Sequence, residues 1–344
     1  MAHYILAHDL GTSGDKATLY TAEGALAAGA VVSYGTRFFN ANWAEQDPRL
    51  WWEAVCSATR KICSEIDPAE IGAVSFSGQM MGCVCVDKSG DPLRDSIIWA
   101  DQRSLTEMEF LRARIPDDEF YRITGHRPSP AYSLEKLMWI KSHEADTYMQ
   151  THRMLHAKDF VVLKLTGKYV SEYSDASGTH VLDINSLEWS DRILSVSGID
   201  PDKLPQLKPS VHVAGEVTRE AAEATGLKPG TPVVCGAGDG VAAAVGSACV
   251  SEKVAHCYLG SSAWIGLSTG KPVLDAGMRT VNWAHAVPGM ISPNGPMQAA
   301  GNSFAWMQRE LCLSETEQAR ISDVHPFSLI NEKVESSPPG SNGQ

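Results

Sequence analysis

The sequence has no long apolar segment and no leader-like N-terminus. No window approaches the roughly 18 uninterrupted apolar residues that a membrane-spanning helix requires. The first residues, from Met1 to Asp9, contain neither a basic region nor an apolar stretch of signal-peptide length. These absences predict a cytoplasmic protein without a membrane partner.

Positive charge is scarce, and the cysteines lack metal-binding spacing. The chain has 29 Lys and Arg residues against 41 Asp and Glu, a formal net charge of -12. Such a balance disfavours nucleic acid as a partner, although a local site can still bind a phosphorylated ligand. The eight cysteines include no C-x-x-C pair. This pattern is typical of reduced, buried thiols and disfavours zinc.

Two common nucleotide-binding motifs are also absent. A G-x-G-x-x-G motif that began at Gly236 would need glycine where Val241 stands. Neither Gly167-Lys168 nor Gly270-Lys271 is followed by Ser or Thr, as a P-loop requires. A nucleotide would therefore need a different loop.

The composition is sufficient for a substantial core. The chain has 344 residues, of which 43% are apolar and 20% charged. This length predicts one very large domain or two ordinary ones. A predicted helix from Val217 stops at Gly226, and Lys228-Pro-Gly-Thr231 then forms a connection. We therefore predict two domains, residues 1–228 and 229–344.

The central stretch of the sequence is residues 233–246, Val-Val-Cys-Gly-Ala-Gly-Asp-Gly-Val-Ala-Ala-Ala-Val-Gly. It predicts a short buried strand, a glycine loop and the start of a helix. Asp239 stands in the middle of the loop, where a substrate can approach the backbone closely. Its carboxylate could accept a proton from a hydroxyl. It could equally be the N-cap of an ordinary strand-to-helix turn.

Two loops rich in glycine and hydroxyl groups each lie between predicted strands. The first is Asp9-Leu-Gly-Thr-Ser-Gly-Asp-Lys16, and the second is Leu259-Gly-Ser-Ser-Ala-Trp264. Backbone N–H groups in such loops can hold phosphate, Lys16 can add charge, and Asp9 can hold a metal through water. Ordinary polar hairpin turns remain the alternative. The two loops suggest two similar halves that face one nucleotide.

Other segments have both a structural and a functional reading. A helix is predicted after Pro48, with Trp51 on its apolar face. Trp99, Asp101 and Arg103 at a strand end suit a polyhydroxylated ligand, but also a core tryptophan with a structural ion pair. Residues 173–179 predict a polar turn, in which Asp175 is a candidate acid but is more simply a loop residue.

These motifs, in this order, resemble the FGGY carbohydrate kinases, and most closely their xylulokinase-like branch. Asp9–Lys16 resembles the family's first phosphate loop, and residues 259–262 resemble its second. Gln46-Asp47-Pro48 matches its helix start, and Trp99-Ala-Asp-Gln-Arg103 matches Trp-x-Asp-x-Arg. Residues 77–82 are similar to its Ser-Gly-Gln-Met-His-Gly segment, and Asp239 occupies the position of the catalytic aspartate.

The resemblance implies an α/β, actin/hexokinase-like fold of two ribonuclease-H-like domains that close over a cleft. It implies transfer of the γ-phosphoryl group from ATP, with Mg²⁺, to a sugar or polyol, with Asp239 as the base. ATP phosphates would be held by Gly11, Thr12, Ser13, Lys16, Gly260, Ser261 and Ser262, and the metal by Asp9. Gln79, Met80, Met81, Trp99 and Asp101 would contact the sugar, together with Asp239.

The sequence departs from the family pattern in two ways. Met81 replaces a histidine, so D-xylulose is the first expectation beside another ketopentose, a pentitol or a tetritol. The family continues beyond the position of Gln344 with the segment that receives adenine, so we expect an incomplete second domain without the adenosine pocket. We expect uncovered apolar surface there to favour a homodimer. The alternative function is a sugar-binding fragment that needs a partner or the missing segment for catalysis.

Overall fold

The secondary structure is mixed α/β, and the computed structural model describes residues 3–341. The strands, in chain order, are β1 (Tyr4–Leu10), β2 (Gly14–Thr21), β3 (Leu26–Ser33), β4 (Arg37–Phe39), β5 (Trp43–Gln46), β6 (Ile71–Gly78), β7 (Val84–Val86), β8 (Ser96–Ile97), β9 (Arg153–Leu155), β10 (Val170–Glu172), β11 (Leu182–Asp183), β12 (Glu188–Trp189), β13 (Gln206–Lys208), β14 (Val213–Glu216), β15 (Pro232–Val234), β16 (Ala237–Gly238), β17 (Ala255–Leu259), β18 (Ala263–Leu267), β19 (Val281–Ala284) and β20 (Ile291–Met297).

The helices follow the same numbering along the chain. They are α1 (Pro48–Cys63), α2 (Leu105–Arg112), α3 (Asp117–Thr124), α4 (Ser133–His143), α5 (Ala145–Gln150), α6 (Ala157–Thr166), α7 (Tyr173–Ser177), α8 (Asp191–Ser197), α9 (Arg219–Thr225), α10 (Asp239–Gly246), α11 (Gly301–Leu311), α12 (Leu313–Ser322) and α13 (Pro326–Glu335). Within the described range, no helix is both long and apolar enough to cross a bilayer.

The described chain forms two units. Unit 1 consists of residues 3–254 and 267–294, and unit 2 of residues 255–266 and 295–341. These units are defined by contacts within the structure. The predicted domain boundary between residues 228 and 229 stays a prediction.

A mixed sheet forms the centre of unit 1, in the order β14-β15-β6-β1-β2-β3 with β16 also beside β6. β1, β2 and β3 form an antiparallel meander, and β6 then runs parallel to β1. β15 and β16 extend the parallel part along β6. An antiparallel meander followed by parallel strands is the ribonuclease-H-like arrangement that the resemblance implied.

Helix α1 covers one face of this sheet. Asp47 caps its N-terminus by accepting the Arg49 N–H, and Pro48 occupies the first turn, where a missing N–H costs nothing. Trp51, Val55, Ala58 and Ile62 are all buried. Burial of each of the larger of these side chains contributes about 1.5–3 kcal/mol, so the helix is held by its apolar face. The helix that the sequence predicted here is confirmed.

A second apolar cluster in unit 1 packs helices α2, α3 and α4 together. Leu134, Leu137 and Ile140 of α4 are fully buried against Leu111 of α2 and Phe120 of α3. Helix α9 ends as predicted, because Gly226 has a φ of 81° and closes the last turn in a left-handed conformation.

Unit 2 contains β17, most of β18, and helices α11, α12 and α13. Phe304 of α11 packs on Phe327 of α13, with ring centroids 4.7 Å apart. Ile330 and Ala319 are its buried apolar residues on the helices, whereas Leu311 and Ile321 are 67% and 72% exposed. This unit therefore has a much smaller core than unit 1.

Two local predictions differ from the structure. The first glycine loop is shorter than predicted, because Asp9 and Leu10 belong to β1 and Gly14 to β2, which leaves residues 11–13 as the turn. The predicted polar turn at residues 173–179 is wrong, since residues 173–177 form α7.

Candidate active site

The candidate site begins at the carboxyl ends of three parallel strands of unit 1. Asp9 of β1 lies opposite Ser77 of β6, and Ser77 lies opposite Ala237 of β16. Asp239 follows β16 directly. Neighbouring strands are about 4.8 Å apart, so the backbones of Asp9 and Ala237 are separated by roughly two such spacings, and Asp239 stands two residues beyond Ala237. The sheet register thus brings together two carboxylates that are far apart in sequence.

Asp239 is the first residue of α10, and Gly238 is the N-cap. The Asp239 Oδ1 atom accepts the Gly240 N–H at 2.7 Å. The pKa of Asp239 is raised to about 7, mainly because the surrounding protein removes water from the carboxylate. The negative charges of Asp175 and Asp9 also raise this pKa, whereas the hydrogen bond from the Gly240 N–H lowers it. Solvent nevertheless reaches the residue, so we expect a smaller shift than full burial would give. This environment suits a base that works near neutral pH.

Two glycines lead to Asp239, of which Gly236 is required by its backbone and Gly238 lies against a side chain. Gly236 has a φ of 76°, and a Cβ atom there would lie 1.9 Å from the Phe76 carbonyl oxygen. A Cβ atom on Gly238 would lie 2.5 Å from the Met80 side chain. The sequence predicted that a substrate could approach the backbone closely at this loop. In the structure the Met80 side chain packs against the Gly238 backbone, and the approach of a substrate stays a prediction.

The first glycine loop, residues 11–13, is braced by side chains from three other segments. The Tyr34 hydroxyl donates to the Gly11 carbonyl at 2.6 Å, and Gln46 Nε2 donates to the Thr12 carbonyl at 2.6 Å. The Trp99 indole N–H donates to the Thr12 hydroxyl at 2.9 Å. Tyr34 and Gln46 were not predicted as site residues. The bracing fixes the loop before any ligand arrives, which suits phosphate binding.

Asp9 and Lys16 lie opposite each other on β1 and β2, next to this loop. Asp9 is half-buried and accepts the Ser77 hydroxyl at 2.9 Å, whereas Lys16 is exposed. Mg²⁺ is commonly held by one or two carboxylates together with waters and substrate phosphates. Asp9 can be the carboxylate of such a site. No cluster of three or more protein ligands exists among residues 3–341, and Mg²⁺ needs none.

The predicted sugar-contacting segment follows β6. Gln79 is buried and its Nε2 atom donates to Gln46 Oε1 at 2.8 Å, while its own Oε1 is buried and has no hydrogen-bond partner among residues 3–341. Met80 is buried, and Met81 has a φ of 60°. Lys136, a residue that sequence reasoning missed, is fully buried and donates to the Met81 carbonyl at 2.6 Å. Its position at the start of an apolar helix gave no signal of this contact.

Trp99 and Asp101 have different environments. Trp99 is 42% exposed and contacts the first glycine loop. Asp101 is fully buried, and its oxygens accept the Ala44 N–H at 2.6 Å and the Arg103 guanidinium at 2.7 Å. The structural ion pair that we kept as an alternative is therefore present. A direct contact between Asp101 and a sugar stays a prediction, and the pairing favours a supporting role.

The second glycine loop, residues 260–262, lies in unit 2 between β17 and β18. The Gly260 N–H donates to the Ser262 carbonyl at 2.9 Å. The carbonyls of Gly260 and Ser261 accept the N–H groups of Gly301 and Ala300, each at 2.9 Å. The loop is thus fastened to the start of α11. Its role towards a phosphate stays a prediction.

Comparison with known proteins places the chain in a family. Residues 4–246 match the model for the FGGY family of carbohydrate kinases, N-terminal domain. The xylulose kinase of Escherichia coli (strain K12) is 32% identical over 307 residues, which is 89% of this chain and 63% of that protein. The gluconokinase of Bacillus subtilis (strain 168) is 28% identical, and the match covers 100% of this chain and 67% of the relative.

A solved structure agrees with these sequence matches. The xylulose kinase of Rhodospirillum rubrum superposes with a TM-score of 0.91 at 26% identity, covering 98% of this chain and 68% of that structure. The predicted actin/hexokinase-like fold class is confirmed by this likeness. The chain spans about two thirds of the length of the relatives it matches. From the family model, which matches most of its length, we conclude that this chain belongs to the FGGY family of carbohydrate kinases.

Proposed function

We propose that the protein takes part in ATP-dependent phosphorylation of a sugar or polyol hydroxyl, with Asp239 as the general base. The observation that carries this proposal is the alignment of three strand ends, which brings Asp9, Ser77 and Asp239 together in unit 1. An isolated strand-to-helix turn would not require a second carboxylate on β1, on the other side of β6.

Asp239 would accept the proton of the acceptor hydroxyl as its oxygen attacks the γ-phosphorus of ATP. The bond from that phosphorus to the bridging oxygen breaks, and ADP leaves. A base with a pKa near the working pH is efficient in this step because it is largely ionised and still binds the proton. Such reactions depend mainly on alignment and on stabilisation of charge.

The two glycine loops would hold the phosphates. Gly11, Thr12 and Ser13 form a braced loop in unit 1, with Lys16 nearby as a positive charge. Residues 260–262 form the corresponding loop in unit 2. Mg²⁺, held by Asp9 through water, would neutralise phosphate charge. Asp9 is already oriented for this by the Ser77 hydroxyl.

For the acceptor we propose a small polyhydroxylated molecule, with D-xylulose first. Relatives are named xylulose kinase and gluconokinase, so D-gluconate belongs in the same test. Gln79, Met80, Met81 and Trp99 are the proposed contacts. The unpartnered, buried Oε1 of Gln79 is an acceptor that a substrate hydroxyl could satisfy.

The eight free cysteines fit a reducing, cytoplasmic setting.

The test is a coupled ADP-release assay on the 344-residue chain with Mg-ATP and a panel of ketopentoses, pentitols, tetritols and gluconate. Asp239→Asn is the matched variant, because it keeps the size of the side chain and removes the base. We expect acceptor-dependent turnover in the wild type and a loss of about 10²–10⁴-fold in kcat in the variant.

Two outcomes would change the conclusion. Turnover that survives in Asp239→Asn would remove Asp239 from the role of base. Calorimetric binding of an acceptor without turnover would favour the second candidate, a sugar-binding chain that requires a further segment or partner for catalysis. A mass-spectrometric search for the phosphorylated acceptor separates these cases from simple ATP hydrolysis.

A further inference from the structure

A fully buried polar cluster lies next to the backbone that carries Asp239. We define the buried cluster as Lys158, Glu172, Ser174, Asp175 and Ser210. The first four have no accessible surface, and Ser210 is 5% exposed. None of them can touch a substrate directly. A cluster of this kind is costly to bury unless its members are fully paired, so its connections are informative.

Glu172 is the centre of the buried cluster. Its Oε1 accepts the Ser174 hydroxyl at 2.7 Å, and its Oε2 accepts the Ser174 N–H at 2.8 Å and the Ser210 hydroxyl at 2.6 Å. Lys158 Nζ lies 3.3 Å from Glu172 and 3.2 Å from Asp175. Burial alone would lower the pKa of Lys158, but these carboxylates and Asp159 keep it well above its usual range. The cluster is therefore charged and tightly held.

Ser174 connects this cluster to the candidate base. Its hydroxyl donates to Glu172 and accepts the N–H of Gly238 at 3.0 Å. Gly238 comes immediately before Asp239 and is packed on Met80. Through these two contacts the backbone of Gly238, the residue before Asp239, is fixed in position.

We propose that Ser174 is a positioning residue, which holds the Gly238 peptide and thereby keeps the Asp239 carboxylate where it can accept the proton of the acceptor hydroxyl. The proposal rests on the proposed function, because it takes Asp239 as the base. A misplacement of about 1 Å can cost roughly 100-fold in rate, so one hydrogen bond at this position can matter.

Ser210 provides a matched control. It is buried, its hydroxyl donates to the same Glu172, and no contact joins that hydroxyl to Gly238 among the described residues. Ser210→Ala and Ser174→Ala therefore each remove one buried hydroxyl from Glu172. Only Ser174→Ala also removes the partner of the Gly238 N–H. A role limited to stability predicts similar effects from both variants.

The experiment is a ¹³C NMR titration of aspartate-labelled protein, in which Asp239→Asn assigns the Asp239 carboxyl signal. Without the Ser174 hydroxyl, we expect the Asp239 carboxylate to lose its fixed position relative to Asp175 and Asp9, whose negative charges raise its pKa. We expect the titration midpoint of Asp239 to fall by about one pH unit in Ser174→Ala and to stay at the wild-type value in Ser210→Ala. Ser174→Cys, which keeps the size but bonds weakly, should give an intermediate midpoint.

Kinetics add a second measurement. In the phosphorylation assay, Ser174→Ala should lower kcat by about 10–100-fold with little change in the KM for ATP. If no acceptor is phosphorylated by the wild type, the proposed function fails, and the titration still decides the positioning role. Equal midpoints in Ser174→Ala and Ser210→Ala would overturn the proposal. Melting curves show whether Ser174→Ala is folded. If it is not, Ser174→Cys replaces it in the same measurements.

Discussion

Unit 1 contains two contrasting pairs of aspartates. Asp9 and Asp239 have few protein partners; Asp9 is half-buried and Asp239 is exposed. Asp101 and Asp175 are fully buried and paired with Arg103 and Lys158, respectively. An aspartate in a polar motif can therefore be a reactive group or a structural one. Pairing with a buried cation marks the structural aspartates.

The largest effect should come from breaking a buried pair. In Asp101→Asn, the Arg103 guanidinium loses the Asp101 carboxylate but keeps the Glu45 carboxylate at 2.8 Å. We expect a loss of about 3 kcal/mol in the free energy of unfolding, at the lower end for a broken buried pair because Glu45 remains. Urea denaturation measures this change.

The activity of Asp101→Asn sharpens the same contrast. Corrected for the folded fraction, its KM for the acceptor should stay within a few-fold of the wild type, since the buried carboxylate faces Arg103 and the Ala44 N–H. A large rise in that KM alone, with unchanged stability, would place Asp101 with the reactive set instead.

The pH dependence of activity tests the exposed set. The pKa of Asp239 is raised from 3.8 towards about 7, by less than full burial would give because solvent reaches the side chain, so the carboxylate form that can accept a proton is gained as the pH rises. We expect kcat/KM for the acceptor to increase by up to about tenfold per pH unit below the pKa and to level off above it. A profile that is flat between pH 5 and 8 would contradict this.

The same shift predicts the sign of a stability change. The folded state holds a proton on Asp239 at pH values where the unfolded chain has lost it, so the contribution of this group to stability falls as pH rises from 3.8 towards 7. Asp239→Asn should remove that part of the pH dependence. Urea midpoints of both proteins at pH 5 and pH 8 provide the comparison.

Asp9 offers a test based on metal dependence. In Asp9→Asn the side chain can still accept the Ser77 hydroxyl but carries no charge for a hydrated Mg²⁺. We expect the Mg²⁺ concentration for half-maximal activity to rise by roughly tenfold. Asp101→Asn is the control and should leave it unchanged. Equal Mg²⁺ requirements in Asp9→Asn and wild type would remove Asp9 from the metal site.

The sequence allowed the local structure around these residues to be predicted better than their neighbours in space. The glycines before Asp239 and the proline after Asp47 act within a few residues, so the strand, the turn and helix α1 were predicted. The register that sets Asp9 beside Ser77 depends on strands about 70 residues apart, which no local pattern encodes.

The missed residues have a common physical reason. Lys136 and Lys158 lie on helices, where lysine is usually a solvent-exposed residue. Here both are fully buried, because Met81 and Ala131 carbonyls surround one and three carboxylates surround the other. Those partners come from other segments of the chain. Asp175 was assigned to a loop for the same reason, since its pairing with Lys158 is not visible in the sequence.

The smallest expected effect concerns the brace on the first glycine loop. Trp99→Phe keeps an aromatic ring but removes the indole N–H that donates to the Thr12 hydroxyl at 2.9 Å. One partly exposed hydrogen bond contributes about 0.5–1.5 kcal/mol, so the KM for ATP should rise by roughly 2–10-fold. Thr12→Val removes the acceptor of the same bond, and the double variant should be no worse than the more impaired single variant. Additive effects would show that Trp99 and Thr12 act separately.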